Sequence, residues 1–113
     1  MLQAQIKNTG SSQLTARAIG QQNTELVSKS VQPGATQTVQ IPGDHEEGTL
    51  MIRGTGTGNV QVKNIASTRS IRLETSGADD ASVGRSLSPQ QDLTIPFTLS
   101  TSADEFSVRF TAQ

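Results

Sequence analysis

The chain has 113 residues, a length typical of one domain, and we expect a single domain over 1–113. It is 32% hydrophobic, 17% charged and 3% aromatic, with a formal net charge of −1 and no cysteine. The absence of cysteine excludes disulfides, thiolate metal sites and cysteine nucleophiles. The scattered cations and scarce aromatic rings argue against a nucleic-acid-binding surface.

Ten short segments alternate apolar and polar residues, which is the pattern of half-buried β-strands. The last two segments are the clearest, since every second residue from Leu93 to Leu99 and from Phe106 to Phe110 is apolar. Turn-forming Gly, Pro, Asn and Ser separate the segments, and none has helical spacing over three turns. The predicted strands are 2–8, 13–19, 25–31, 36–41 and 48–54 in the first half, and 59–65, 69–75, 82–87, 91–99 and 105–111 in the second.

The second half of the chain repeats the pattern of the first. At an offset of 56 positions, QIKNTGSSQ (5–13) faces QVKNIASTR (61–69). A one-residue insertion at Ser70 and a later compensating deletion extend the match to the end of the chain. The order of strands and turns therefore indicates two tandem repeats of about 56 residues, 1–56 and 57–113, that arose by duplication.

A half of this size buries too little apolar surface to be comfortably stable alone. We therefore expect the halves to pack face to face as a single antiparallel β-sandwich, immunoglobulin-like or jelly-roll-like, with pseudo-twofold symmetry. The alternative is two small domains joined at GTGTGN (54–59), and in either case we interpret this segment as a flexible connection between the repeats. The edges of such sheets are templates for the strands of a partner.

The segment PGDHEEG (42–48) contains the only histidine. Carboxylates and imidazole are ordinary ligands of divalent cations, so Asp44–Glu47 is a candidate metal site. Its spacing matches no EF-hand or zinc signature, and the corresponding segment 99–105 lacks the histidine and most of the acids. We interpret this acidic loop as a solvated hairpin tip.

Two further segments resemble sites without meeting their chemical requirements. Asp79 and Asp80 in SGADDAS (76–82) are adjacent on a loop, whereas paired catalytic carboxylates are buried and close together. RGTGTGN (53–59) is glycine-rich, but a phosphate cradle needs a following helix, and the next residues alternate like a strand. We interpret both segments as turns or connections.

The three phenylalanines, Phe97, Phe106 and Phe110, lie on alternating strand faces and are predicted core residues, so they do not form a flat platform for a sugar. No serine lies in a G-x-S-x-G turn, and a single histidine on a turn gives no catalytic triad. We therefore predict no enzyme activity, no catalytic or metal-binding residue, and no cofactor.

In size, composition and all-β architecture the chain resembles the small decoration (cement) proteins that coat the heads of tailed phages. No motif carries this resemblance, so it assigns no residues. It implies a structural protein of the virion, assembled in the host cytoplasm, that binds a capsid or other protein lattice, in a lattice-bound or homo-oligomeric state. The N-terminal MLQAQIKNTG is not a signal-peptide pattern and no 18-residue apolar stretch occurs, so we expect neither secretion nor a membrane span. The alternative function is an immunoglobulin-like adhesion or glycan-binding module.

Overall fold

The computed structural model describes residues 1–41, 47–65, 69–77 and 83–113. It contains ten β-strands and one short 3-10 segment, Gln21–Asn23, and all ten predicted strands are present. The strands are β1 (Leu2–Asn8), β2 (Leu14–Ile19), β3 (Glu25–Val31), β4 (Thr36–Ile41), β5 (Glu47–Gly54), β6 (Gly56–Asn64), β7 (Ile71–Ser76), β8 (Val83–Leu87), β9 (Asp92–Leu99) and β10 (Glu105–Ala112).

The strands form two antiparallel sheets that pack as a sandwich, which confirms the predicted fold class. The four-stranded sheet has the order β4-β1-β6-β9, and the six-stranded sheet has the order β3-β2-β5-β10-β7-β8. Neither sheet has the A-B-E-D strand order of immunoglobulin domains, so the prediction is confirmed at the level of a β-sandwich.

The expectation that the two halves pack face to face is wrong, because they lie side by side. Each half contributes two strands to one sheet and three to the other, and the halves meet where β1 pairs with β6 and β5 pairs with β10. Both junctions are continuous antiparallel ladders. Pairing the edges in this way satisfies backbone donors and acceptors that face-to-face packing would leave open.

The sheets are symmetric under exchange of the halves. When every strand is replaced by the one five places away along the chain, each sheet keeps its strand order, read from the opposite edge. Gln5 lies opposite Gln61 at one junction and Met51 lies opposite Ser107 at the other, and both pairs are 56 positions apart. An approximate two-fold axis therefore passes through both junctions, while duplication as the origin of this symmetry stays a prediction.

The core lies between the sheets and consists of the inward side chains of the alternating strands. Phe97, Phe106 and Phe110 are all buried, as predicted, and the rings of Phe97 and Phe106 stack with their centroids 5.3 Å apart. Among the described residues, Met1 is the exposed large apolar side chain. Nearly all of the large apolar side chains in the described ranges are therefore buried or partly buried against the core.

The segment between the halves is not a flexible connection, contrary to the sequence interpretation. Gly54 and Gly56 have φ angles of 140° and 145°, a backbone conformation that residues other than glycine rarely adopt. They carry the chain from the six-stranded sheet directly into β6, which begins at Gly56. This sharp crossover places β6 in the centre of the four-stranded sheet.

Two buried asparagines hold equivalent positions in the two halves. Asn8 donates a side-chain hydrogen bond of 2.9 Å to the carbonyl of Val31, and Asn64 donates one of 2.9 Å to the carbonyl of Leu87. Both asparagines are 0% exposed, and each bond joins the end of a strand in one sheet to the end of a strand in the other. The amides therefore tie the two layers together.

Candidate interaction surface

The outer side of the four-stranded sheet is a broad surface of amide and hydroxyl groups. The strands alternate, so their apolar side chains enter the core and their polar side chains face outward. We call this outer surface the amide–threonine face. It consists chiefly of Gln3, Gln5, Lys7, Thr36, Thr38, Gln40, Asn59, Gln61, Lys63, Asp92, Thr94 and Pro96.

The approximate two-fold axis runs through the middle of this face, between Gln5 and Gln61. Several side chains on one side of the axis recur on the other at an offset of 56 positions. The identical pairs are Gln5 and Gln61, Lys7 and Lys63, and Thr38 and Thr94. The symmetry of the backbone therefore extends to the chemistry of the surface.

The symmetry of the face is broken beside Lys63. Asp92 lies opposite Lys63 on the neighbouring strand, whereas Thr36 lies opposite Lys7. The Asp92 carboxylate accepts a hydrogen bond of 3.4 Å from the side-chain amide of Gln61. On the other side, Lys7 and Thr36 border one end of a hollow of about 230 Å³ that extends across the axis to Gln61 and Thr94. The Lys7 side chain is exposed, whereas that of Lys63 is half-buried.

The outer side of the six-stranded sheet differs from the amide–threonine face, because its arginine side chains form ion pairs with glutamates of the same chain. Arginine and glutamate side chains lie together along β2, β3, β5, β7 and β10. Exposed pairs of this kind each contribute about 0–1 kcal/mol to stability. Within each pair the two charges balance each other. The pairs are Arg17–Glu25, Arg53–Glu105, Arg72–Glu74 and Arg109–Glu47.

Two features oppose the addition of a partner strand at the sheet edges. Lys29 on β3 donates a hydrogen bond of 2.6 Å to the carbonyl of Thr38 on β4, so these edge strands are linked to each other. Pro96 lies in the edge strand β9 and lacks a backbone N–H. Proline and inward-directed lysine are both known to protect sheet edges. The amide–threonine face is therefore the better candidate for a partner surface.

A hollow of about 400 Å³ lies at one end of the six-stranded sheet. Gln22 and Asn23 border it from the turn after β2, and Glu47 and Arg109 border it from β5 and β10. Arg109 donates a hydrogen bond of 3.3 Å to the Glu47 carboxylate. Gln22 and Asn23 both have φ angles of 58°, an uncommon left-handed conformation outside glycine. The hollow is polar and open.

Most of the candidate residues singled out in the two acidic loops lie outside the described residues. These are Asp44, His45 and Glu46 in the first loop, and Asp79 and Asp80 in the second. Glu47 is described: it is the first residue of β5 and accepts the hydrogen bond from Arg109. The hairpin-tip and turn interpretations of the two loops stay predictions.

The glycine-rich segment 53–59 lies in strands β5 and β6 and their crossover, and the predicted strand after it is confirmed. No helix follows to cradle a phosphate. Within the described ranges, no three His, Asp or Glu side chains come close enough together to hold a metal ion. No helix in those same ranges is long and apolar enough to cross a membrane.

A comparison with protein families, with curated proteins and with solved structures found no match. Evidence of function therefore comes from the surface itself. The sequence repeat aligns Lys7 with Lys63, and only the strand register places both on one face. The signal was the identity of polar residues at positions directed away from the core, at a constant offset of 56.

Proposed function

We propose that this chain is a structural interaction protein that binds a larger protein assembly, as a capsid decoration protein of the virion does. The observation that supports the proposal is the amide–threonine face: a broad polar array of side chains, with two lysines and one aspartate, on four hydrogen-bonded strands. Broad polar surfaces suit contact with another protein, whereas small-molecule sites are enclosed and largely apolar.

The size of the face favours an assembly over a single isolated partner. Four strands about 4.8 Å apart and six residues at about 3.4 Å each give roughly 400 Å². A stable pairwise interface needs about 800 Å² on each partner. A contact of half that size is weak alone but is reinforced when many copies bind a lattice or when the chain bridges several subunits. Binding to the assembled state alone would also stabilise the lattice.

The proposal is tested by isolating the chain from its natural source without denaturation and measuring the particle mass by light scattering and negative-stain imaging. We expect a megadalton particle that contains the chain in a fixed ratio to a second protein. A free monomer at native concentration would contradict the proposal.

A second candidate, a glycan-binding module, is favoured by the polar hollow around Glu47 and Arg109. A carboxylate, a guanidinium and two side-chain amides supply the donors and acceptors that sugar hydroxyl groups require. Screening the purified chain on a glycan array tests this function. Binding that is lost in Arg109→Ala but kept in Arg85→Ala would support the hollow as the site, and an array without signal would reject it.

A further inference from the structure

The amide–threonine face has the symmetry of a dimeric partner although it belongs to one chain. We propose that it docks on a protein surface that is itself two-fold symmetric and acidic, so that one chain contacts two identical copies of its partner across their two-fold axis. This inference rests on the proposed function and specifies the partner.

The geometry of the face matches a two-fold symmetric partner. A two-fold symmetric partner presents every group twice, related by a rotation of 180°. The chain presents Gln5 and Gln61 at its own approximate axis, with Lys7 and Lys63 placed symmetrically on either side. When the two axes coincide, the same partner residue meets Lys7 in one copy and Lys63 in the other. A partner without a two-fold axis would meet the two lysines with different residues.

The charge of the face matches an acidic partner. From strand geometry, the Cα atoms of Lys7 and Lys63 lie about 14 Å apart. In the described part of the chain, neither lysine forms an ion pair, whereas the arginines of the opposite face are paired with glutamates. Two cations at a fixed spacing on a neutral surface match two carboxylates at the same spacing. The hollow beside Lys7 gives room for one of those acidic side chains.

A second copy of this chain does not fit the face as well. The face carries two lysines and one aspartate, so two copies would bring a net positive charge against a net positive charge. The partner we infer is therefore a different, acidic protein surface.

The two-fold symmetry of the face is incomplete, so we expect Lys7 and Lys63 to contribute unequally to binding. Asp92 opposes Lys63 and partly offsets its charge, whereas Thr36 opposes Lys7. Replacing Asp92 with threonine makes the two halves equal at this position. The contact made through Lys63 should then strengthen.

The first experiment uses carbodiimide coupling of lysine to carboxylate in the native particle, followed by peptide mass spectrometry. The chain has three lysines, and Lys29, which lies on an edge strand away from the face, serves as an internal control. We expect the same acidic partner peptide to be joined to both Lys7 and Lys63, and one chain per two partner copies. Coupling of Lys7 and Lys63 to different peptides, or a ratio of one to one, would overturn the inference.

The second experiment rebinds purified variants to particles stripped of the chain. Lys7→Glu and Lys63→Glu should each weaken binding, by roughly fivefold for an exposed charge contact, with the larger effect for Lys7→Glu. Asp92→Thr should bind more tightly than the native chain. Arg85→Glu makes the same change of charge on β8, outside the face, and should bind normally.

The results that would contradict the proposed function differ from those that would contradict only the two-fold docking. If the chain is a free monomer in its natural source, the proposed function fails and the inference fails with it. If a particle exists but Arg85→Glu weakens binding as much as Lys7→Glu, the proposed function stands and only the two-fold docking is rejected. If nuclease treatment of the particle releases the chain, the partner is a nucleic acid, and the inference of an acidic protein is wrong.

Discussion

At the scale of single residues, Asn8 shows how one buried amide can fix a junction between two sheets. Its side-chain nitrogen donates to the carbonyl oxygens of Ser12, at 2.7 Å, and Val31, at 2.9 Å. Its side-chain oxygen accepts a hydrogen bond of 3.0 Å from the N–H of Gly10. A buried polar group stabilises a fold only when its hydrogen bonds are made, and here they order the turn after β1.

We predict that Asn8→Ala lowers the free energy of unfolding by about 3 kcal/mol, because it leaves the buried carbonyl of Val31, and the part-buried carbonyl of Ser12 and N–H of Gly10, without this partner. Chemical denaturation measures the change. Asn59→Ala removes an amide from the outer face of β6 and should cost no more than about 0.5 kcal/mol. Equal losses in the two variants would show that the buried hydrogen bonds of Asn8 are not the reason for its effect.

Asp104 has a pKa below its ordinary value. The N–H groups of Thr101 and Ser100, and then the hydroxyl of Thr101, donate to its carboxylate and hold the pKa of Asp104 below its usual value. A lowered pKa in the folded state contributes stability above the unfolded-state pKa, and that stability is lost as the pH falls through the folded-state value. The turn between β9 and β10 should therefore loosen in acid.

We expect Asp104→Asn to be less stable than the native chain at neutral pH and the difference to shrink as the pH falls below the pKa of Asp104. Urea denaturation of both proteins across the acid range measures this difference directly. A constant difference at all pH values would mean that the carboxylate charge has no part in the turn. Titration of the Asp104 carboxyl carbon by NMR provides an independent check on the direction of the shift.

At the scale of elements, the centre of the four-stranded sheet depends on the close approach of β1 and β6. A Cβ atom at Gly58 would collide with the backbone carbonyl of Lys7, which cannot move without separating the strands. The ring of Phe97 lies on the same side, 2.9 Å from that position. Glycine is therefore required where the two halves of the chain meet.

We predict that Gly58→Ala costs more than about 2 kcal/mol of stability, since backbone contacts cannot relax as side chains do. Gly84→Ala is the matched control, because the nearest atoms to its new methyl group belong to the flexible end of Arg72. The control should change the thermal midpoint little. If Gly58→Ala behaves like Gly84→Ala, β1 and β6 are less tightly joined than the structure indicates.

The last strand should likewise be sensitive to truncation of its core side chain. Phe106 is 1% exposed and stacks on Phe97 from the opposite sheet. We expect Phe106→Ala to cost about 3–5 kcal/mol, as other buried phenylalanines do, and Phe106→Leu to cost less because it fills more of the space. A loss below about 1 kcal/mol for the alanine variant, measured by denaturation, would mean that β10 does not face a packed core.

At the scale of the whole molecule, the two halves complete each other's sheets. Separating them would expose the edge of β1 in one sheet and the edge of β5 in the other. The three phenylalanines of the core all belong to the second half. The first half alone would therefore lose both its hydrogen-bonding neighbours and the largest side chains that pack against it.

We predict that fragments 1–56 and 57–113 do not fold as monomers but form one cooperative complex when they are mixed. Circular dichroism during thermal unfolding, combined with light scattering, tests this expectation. A soluble monomer of fragment 1–56 that melts cooperatively would contradict it, as would a spectrum dominated by helical signal.

The sequence by itself determined the positions of the strands and their inward faces, because alternation is a local signal. The burial of Phe97, Phe106 and Phe110 followed from that signal, as did the sandwich class. Only the tertiary structure decided that the halves join edge to edge, and hence that Lys7 and Lys63 share one face. Backbone hydrogen bonds are chemically the same at every strand edge, so the choice between edges far apart in the chain is made by the packing of the whole molecule.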